Sequence, residues 1–235
     1  MIDFNEAFKR SRTAQFLLIA VLPVILFVPP GLGQTFPDVC KTPSEAAHGV
    51  TLEIRCVLTA SHPVDIKITG EVKKDHQIRL VQAGAGPNGR DVNPFSTAGL
   101  KGGERSVSLH APYAPGEYDL LYVTPGRRSA LLAVRFRVVA PRVEIFAPET
   151  AEAGKEIDVR VVGELSPQTK INIVPVGSPA TLVGDHAIPA LDGSSKVKAE
   201  NVRVFLRLAK PGKYEIQYLT RTGNVVYARR PLTIR

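Results

Sequence analysis

Pro211-Gly212-Lys213-Tyr214-Glu215-Ile216-Gln217-Tyr218-Leu219-Thr220 runs into Arg221-Thr222-Gly223-Asn224 and returns as Val225-Val226-Tyr227-Ala228-Arg229-Arg230-Pro231-Leu232-Thr233-Ile234-Arg235. Tyr214, Ile216 and Tyr218 alternate onto one face, Gly223 and Asn224 tolerate the positive φ of a tight turn, and β-branched residues resume on the way back. This is the pattern of a β-hairpin. A related stretch stands earlier, where Pro115-Gly116-Glu117-Tyr118-Asp119-Leu120-Leu121-Tyr122-Val123-Thr124 turns at Pro125-Gly126 and returns through Leu131 to Val139. Pro115 aligns with Pro211, Tyr118 with Tyr214, Tyr122 with Tyr218 and Thr124 with Thr220, all at an offset of 96.

Upstream of the hairpins a second match runs without a gap. Gly70 to Gly84 lies over Gly163 to Gly177 at an offset of 93, pairing Glu71 with Glu164, Ile78 with Ile171 and Val81 with Val174. A period of just under 100 residues is too long for a solenoid and suits tandem β-sandwiches of about seven short strands each. Pro141 ends strand pairing and the pattern restarts at Val143-Glu144-Ile145-Phe146, so the expected domains are 34–140 and 141–235. The two-residue connector predicts an elongated rod with little hinge motion. Within the first half, strands are expected at Thr51 to Leu58, Val64 to Ile68, Gln77 to Val81 and Arg105 to Leu109, with a long Gly-rich loop from Gly84 to Gly103. No segment carries a helical period.

The first 33 residues read as an export signal. Lys9, Arg10 and Arg12 precede an apolar run from Ala14 to Val28, and Gly31 and Gly33 suit cleavage after Gly33. The competing reading is an uncleaved inner-membrane anchor over 14–28 with the rest outside the cytoplasm. Fifteen residues span only about 22 Å as a helix against a hydrocarbon core of about 30 Å, and Pro23 interrupts the run, so cleavage into the periplasm or medium is favoured. In an exported chain the two cysteines, Cys40 and Cys56, suggest one disulfide tying the N-terminal arm to the first strand.

Lys plus Arg number 30 and Asp plus Glu 22, a formal charge of +8, and removal of the leader leaves about +7. The charges are scattered: Lys73-Lys74, Arg127-Arg128 and Arg229-Arg230 are isolated pairs, as solvated turns and strand edges carry. Attraction to an anionic cell-wall or lipid surface follows from the net charge. Nucleic acid is not an expected partner, because export and the lack of interleaved aromatic and basic residues both argue against it.

Chemistry is sparse. Gly84-Ala85-Gly86-Pro87-Asn88-Gly89 spells a dinucleotide-binding pattern, but Pro87 and Asn93-Pro94 oppose the helix that would hold a pyrophosphate. His48, His62, His76, His110 and His186 show no zinc-like spacing, and no Gly-X-Ser-X-Gly elbow is present. No catalytic, metal or cofactor residue is therefore assigned. A nucleophile and acid converging on His110 or His186 would restore an enzymatic reading.

The Pro-Gly-X-Tyr entries to the two hairpins fit the corner tyrosine of immunoglobulin-like sandwiches, whose hydroxyl bonds back to nearby backbone. Together with Ile171-Asn172-Ile173-Val174-Pro175-Val176-Gly177-Ser178-Pro179 and Ala228-Arg229-Arg230-Pro231-Leu232, they make residues 142–235 resemble an Ig-like module of bacterial exported proteins, residues 50–139 less closely. In that family the module often accompanies a von Willebrand factor type A domain, which this chain lacks. The resemblance implies an all-β chain of two tandem Ig-like sandwiches after the signal or anchor segment. Its expected role is a non-catalytic interaction or structural module of the envelope that binds another envelope protein, with a carbohydrate or cell-wall binding module as the alternative. Partner contact is expected from two long loops, Gly84 to Gly103 through Arg90, Asp91, Asn93, Phe95 and Lys101, and Gly177 to Asn201 through Asp185, His186, Asp192, Lys196 and Lys198.

Overall fold

The computed structural model describes residues 37–42, 49–93, 96–127, 129–178, 201–222 and 225–235. The first half contains β1 (Val39–Lys41), β2 (Thr51–Arg55), β3 (Val57–Thr59), β4 (Pro63–Thr69), β5 (Gln77–Gln82), β6 (Thr97–Gly99), β7 (Ser106–His110), β8 (Gly116–Val123) and β9 (Ala130–Val139). They form two sheets of order β1-β2-β4-β7 and β3-β9-β8-β5-β6. The second half contains β10 (Val143–Phe146), β11 (Thr150–Ala151), β12 (Glu156–Gly163), β13 (Thr169–Pro175), β14 (Asn201–Arg207), β15 (Gly212–Thr220) and β16 (Val226–Ile234), in sheets β10-β12-β14 and β11-β16-β15-β13. Setting β1 and β6 aside, the two strand orders superimpose term by term. Each half is an Ig-like sandwich, and the duplication read from the sequence is a duplication of topology.

Alternation builds the cores. Along β4, Val64, Ile66 and Ile68 are buried while Asp65 and Lys67 face solvent, and each such buried aliphatic side chain contributes about 1.5–3 kcal/mol. The first core gathers these with Leu52, Ile54, Leu80, Leu120 and Phe136, and a second, separate cluster gathers Ile157, Val159, Val161, Ile173, Ile216 and Leu232.

The single strand expected from Thr51 to Leu58 is two strands in different sheets. β2 pairs antiparallel with β4, whereas β3 pairs parallel with β9. The break falls at Cys56 because its backbone serves both sheets: its amide donates to the Asp38 carbonyl at 3.2 Å, and its carbonyl accepts from the Arg137 amide at 2.8 Å. Cys56 is disulfide-bonded to Cys40, which sits on β1 opposite Ile54. The bond therefore holds β1 at the point where the chain changes sheets. The chain-entropy account gives about 3 kcal/mol for closing a loop of this size. Replacing both cysteines by Ser is expected to lower the stability of the first sandwich by about that amount and to expose β1 amides to hydrogen exchange, leaving β10–β16 unchanged.

The corner tyrosines do what the sequence predicts for their hydroxyls. Tyr118 donates to the Ala114 carbonyl at 2.7 Å and Tyr214 to the Lys210 carbonyl at 3.0 Å. Their burial differs: Tyr118 is buried and Tyr214 half-buried. Tyr118 stacks on its cross-strand partner Phe136, ring centroids 5.9 Å apart, whereas the partner of Tyr214 is the smaller Leu232.

Three residues, 140–142, join β9 to β10. Polar contacts cross this junction. The Ser166 hydroxyl donates to the Ser61 carbonyl at 2.6 Å, and the Tyr227 hydroxyl donates to the Tyr113 carbonyl at 2.6 Å while lying 2.7 Å from Ser61 Oγ. His62 Nε2 lies 3.3 Å from the Glu164 carbonyl. The Tyr227 ring packs against both cores, and burial pushes its hydroxyl up to about 12 against the opposing hydrogen bond from Ser61.

Because the folded state holds the Tyr227 proton more tightly, its contribution to stability is full below the unfolded value of 10.0 and is lost as pH rises toward 12. Tyr227→Phe is expected to cost about 1–2 kcal/mol at neutral pH through the lost hydrogen bonds. Urea midpoints of the variant should also fall less steeply than wild type above pH 10, with Tyr113, Tyr118 and Tyr218, which burial raises too, keeping a residual slope.

Candidate interaction surface

One face of the β10-β12-β14 sheet meets the second core; the other carries Glu144 and Phe146 on β10, Asp158 and Arg160 on β12, and Arg203 and Phe205 on β14. The register sets Phe146 beside Arg160, Arg160 beside Arg203, and Asp158 beside Phe205. Two aromatic rings thus stand in solvent on a sheet face, Phe146 39% exposed and Phe205 54% exposed. Each is covered by a guanidinium: Arg160 lies 4.7 Å from the Phe146 centroid and Arg203 lies 5.1 Å from that of Phe205. Contacts of this kind hold a long cation flat over a ring and leave its N–H edges free to donate.

Arg203 also grips Asp158 with two hydrogen bonds of 2.8 and 2.6 Å, which hold the Asp158 carboxyl below its ordinary range. Arg230, from β16, reaches the Ala147 carbonyl at 3.5 Å and Glu149 at 3.8 Å. Arg230 lines, with Glu144 to Pro148, Asp158, Arg160, Asn201 and Arg203, a groove of about 830 Å³; Phe205 stands on the same sheet face outside it. Exposed aromatics with arginines are what protein-binding patches concentrate. The sequence reading missed this site, because its cations come from three separate strands. The signal available was Phe146 and Phe205 at solvent-facing strand positions.

The first long loop is organised differently from a solvated linker. It contains β6, and an isolated bridge joins Val81 to Asp91. Asp91 accepts from Arg79 Nε at 3.1 Å, Arg79 Nη2 at 2.8 Å and Thr97 Oγ1 at 2.6 Å. Asn93 is buried and donates to the Ala111 carbonyl at 3.0 Å. Arg90 and Lys101 are exposed, the amide of Lys101 being held by the Glu104 carboxylate. Phe95, Asp185, His186, Asp192, Lys196 and Lys198 lie outside the described residues, as do the leader and the Gly223-Asn224 turn. His110, half-buried on β7, has its pKa lowered by burial and by the neighbouring His62. Among the described residues no three His, Cys, Asp or Glu side chains are grouped to hold a metal ion, and no helix is long and apolar enough to cross a membrane.

The strand order and the corner tyrosines place the chain in the class of tandem Ig-like β-sandwich proteins. No family model and no curated protein matches it. Among solved structures it is similar to the Escherichia coli adhesin FdeC, at 14% identity over 83% of this chain and 65% of that one, with a TM-score of 0.29. It is also similar to the D0-D1 domain of intimin, at 15% identity over 76% and 94% with a TM-score of 0.27. The Yersinia pseudotuberculosis adhesin InvE matches at 12% identity over 77% and 56%, with a TM-score of 0.30. A superoxide reductase from Ignicoccus hospitalis matches 40% of the chain at 19% identity and a TM-score of 0.28.

Proposed function

We propose that the chain is a non-catalytic, exported module that binds another protein of the bacterial envelope, using the outer face of β10, β12 and β14 as its contact surface. The observation that carries this reading is the pair of guanidinium-covered phenylalanines, Phe146 and Phe205, standing exposed on a sheet face. Burying such rings against a partner removes apolar area from water at about 25 cal/mol per Å², beyond the roughly 0.5–1 kcal/mol that each exposed cation–π contact supplies. Export rests on the leader pattern of residues 1–33, and the resemblance of residues 142–235 to Ig-like modules of bacterial exported proteins supports an envelope setting. In the first sandwich, Arg90 and Lys101 are what the long loop offers. An anionic wall or lipid surface finds only scattered charge there.

The test is crosslinking of the native envelope followed by mass spectrometry. Phe146→Ser with Phe205→Ser is expected to reduce recovery of specific crosslinked partners at least about fivefold, the scale on which contact-centre aromatics act. Arg90→Ala with Lys101→Ala is expected to reduce it less. Undiminished recovery from the Phe double variant, in protein whose melting is unchanged, would overturn the reading.

A further inference from the structure

The duplication shows what fits beside β10. In the first sandwich the outer edge of β2 is taken by β1, a short extended segment whose Lys41 bonds Glu53 at 2.9 Å. Its backbone is anchored by Thr42 N donating to the Leu52 carbonyl at 3.1 Å and by Cys56 N donating to the Asp38 carbonyl at 3.2 Å. At the offset of 93, β10 is the counterpart of β2, Phe146 stands for Glu53, and the Ile145 carbonyl and Glu149 amide stand for the two anchoring groups. Among the described residues no strand pairs with this edge of β10.

The edge of β10 lacks one anion that β2 has: Glu53 becomes Phe146, while the cation beside it is kept, Lys67 in the first sandwich and Arg160 in the second, and Glu144 is the carboxylate that β10 itself carries on this face. Where β2 offers the carboxylate of Glu53 to a lysine, β10 offers Phe146 with the Arg160 guanidinium above it. Among the described residues Arg160 makes no salt bridge; it acts on Asp158 through space only, and the Asp158 carboxylate is bonded to Arg203. Arg230 reaches the same edge from the other side, and its Glu149 partner is 85% exposed and 3.8 Å away. We propose, resting on the interaction-module reading above, that the groove receives an extended, acidic peptide segment of the partner. The segment lies along β10 as β1 lies along β2, with its carboxylates on Arg160 and Arg230.

β10 is four residues long and Pro148 follows it, so backbone bonds are few and the charge-assisted side-chain bonds carry the affinity. A lipid surface is the poorer match. The groove's arginines are interleaved with Glu144 and Asp158, so it offers a membrane no continuous cationic plane.

The experiment uses a fluorescein-labelled peptide of about ten residues alternating Asp and Val, long enough to span β10 as a strand. Binding to the exported protein is read by fluorescence anisotropy, with a Lys and Val peptide and phosphatidylglycerol vesicles as comparisons. The Asp peptide is expected to bind and to weaken with added salt. Arg160→Glu is expected to reduce its affinity at least about tenfold, and the equal charge change Arg55→Glu, on the first sandwich, less than about twofold. Equal losses in both variants, no binding of the Asp peptide, or vesicle binding with the same dependence on Arg160 would each overturn the proposal. If the Asp peptide fails while envelope crosslinking still depends on Phe146 and Phe205, the acidic segment is wrong and the interaction module stands. If both fail, both readings fall.

Discussion

Arg79→Ala is expected to cost the first sandwich about 3–5 kcal/mol, the scale on which removing one partner of a buried ion pair acts. Arg79 is 0% exposed although it is a charged residue on the outward side of β5. Its guanidinium holds Asp91 through Nε and Nη2, donates from Nη2 to the Gly89 carbonyl at 2.8 Å, and donates from Nη1 to the Pro87 carbonyl. These bonds draw residues 87–91 over Arg79 on the outer face of β5. A small satellite core of Val81, Leu121 and Val123 lies buried there. Truncation to Ala takes the counter-charge from Asp91, which keeps the Thr97 hydroxyl, and strands two carbonyls, and the loop relieves them by lifting toward water. Urea melts should show the loss in the first sandwich alone, and hydrogen exchange should show lost protection concentrated in residues 84–93. A cost below about 1 kcal/mol with loop protection unchanged would mean that the guanidinium is not what closes the loop.

That clamp also marks where sequence reasoning stops. Alternation along Gln77 to Gln82 puts Ile78 and Leu80 inward and Arg79 outward, and on a two-layer sandwich outward means solvent. The loop adds a third layer, and its donors and acceptors are separated from Arg79 by 8 to 12 positions with no regular period. A partial signal was present: Leu120-Leu121-Tyr122-Val123 is apolar on both faces, as a strand covered on both sides requires. The counterparts Asn172, Val174, Gln217 and Leu219 are likewise buried in the second sandwich.

Positions whose backbone or side chain has one workable conformation were legible. Tyr118 and Tyr214 bond four residues back, Tyr122 accepts from the Lys73 amide at 3.3 Å, and its repeat Tyr218 accepts from the Ser166 amide at 3.0 Å. Lys73 and Ser166 are themselves 93 apart, so the duplication extends to the hydrogen bonds. The Phe146 and Arg160 face was not legible as a site, because its members are individually ordinary and only the register β10-β12-β14 brings them together. The junction contacts of Ser61, Tyr113, Ser166 and Tyr227 were hidden for the same reason, with partners 105 to 166 positions apart.

Gly163→Ala is expected to destabilise the second sandwich by about 3–5 kcal/mol, combining strain at a positive φ with a collision that side-chain motion cannot relieve. Gly163 has φ 124°, and a Cβ there would stand 2.1 Å from the Arg142 carbonyl oxygen. That oxygen cannot retreat freely, because it accepts from the Glu164 amide at 2.9 Å, and Gly163 itself pairs with Val143 across β10 and β12. Its repeat, Gly70, has φ 102° and would bring a Cβ to 1.8 Å from the Gly49 carbonyl oxygen, so Gly70→Ala should do comparable damage to the first sandwich. Gly84 and Gly177 form the matched control. They are the other end of the same aligned stretch, also at positive φ of 79° and 84°, yet nothing lies within 4 Å of a Cβ at either. Gly84→Ala and Gly177→Ala are therefore expected to cost only the conformational part, about 1 kcal/mol. Four denaturation curves decide it. If all four glycines cost the same, the duplicated Gly70 and Gly163 are kept for backbone freedom alone, and the close approach of β2 to β4 and of β10 to β12 is not what demands them.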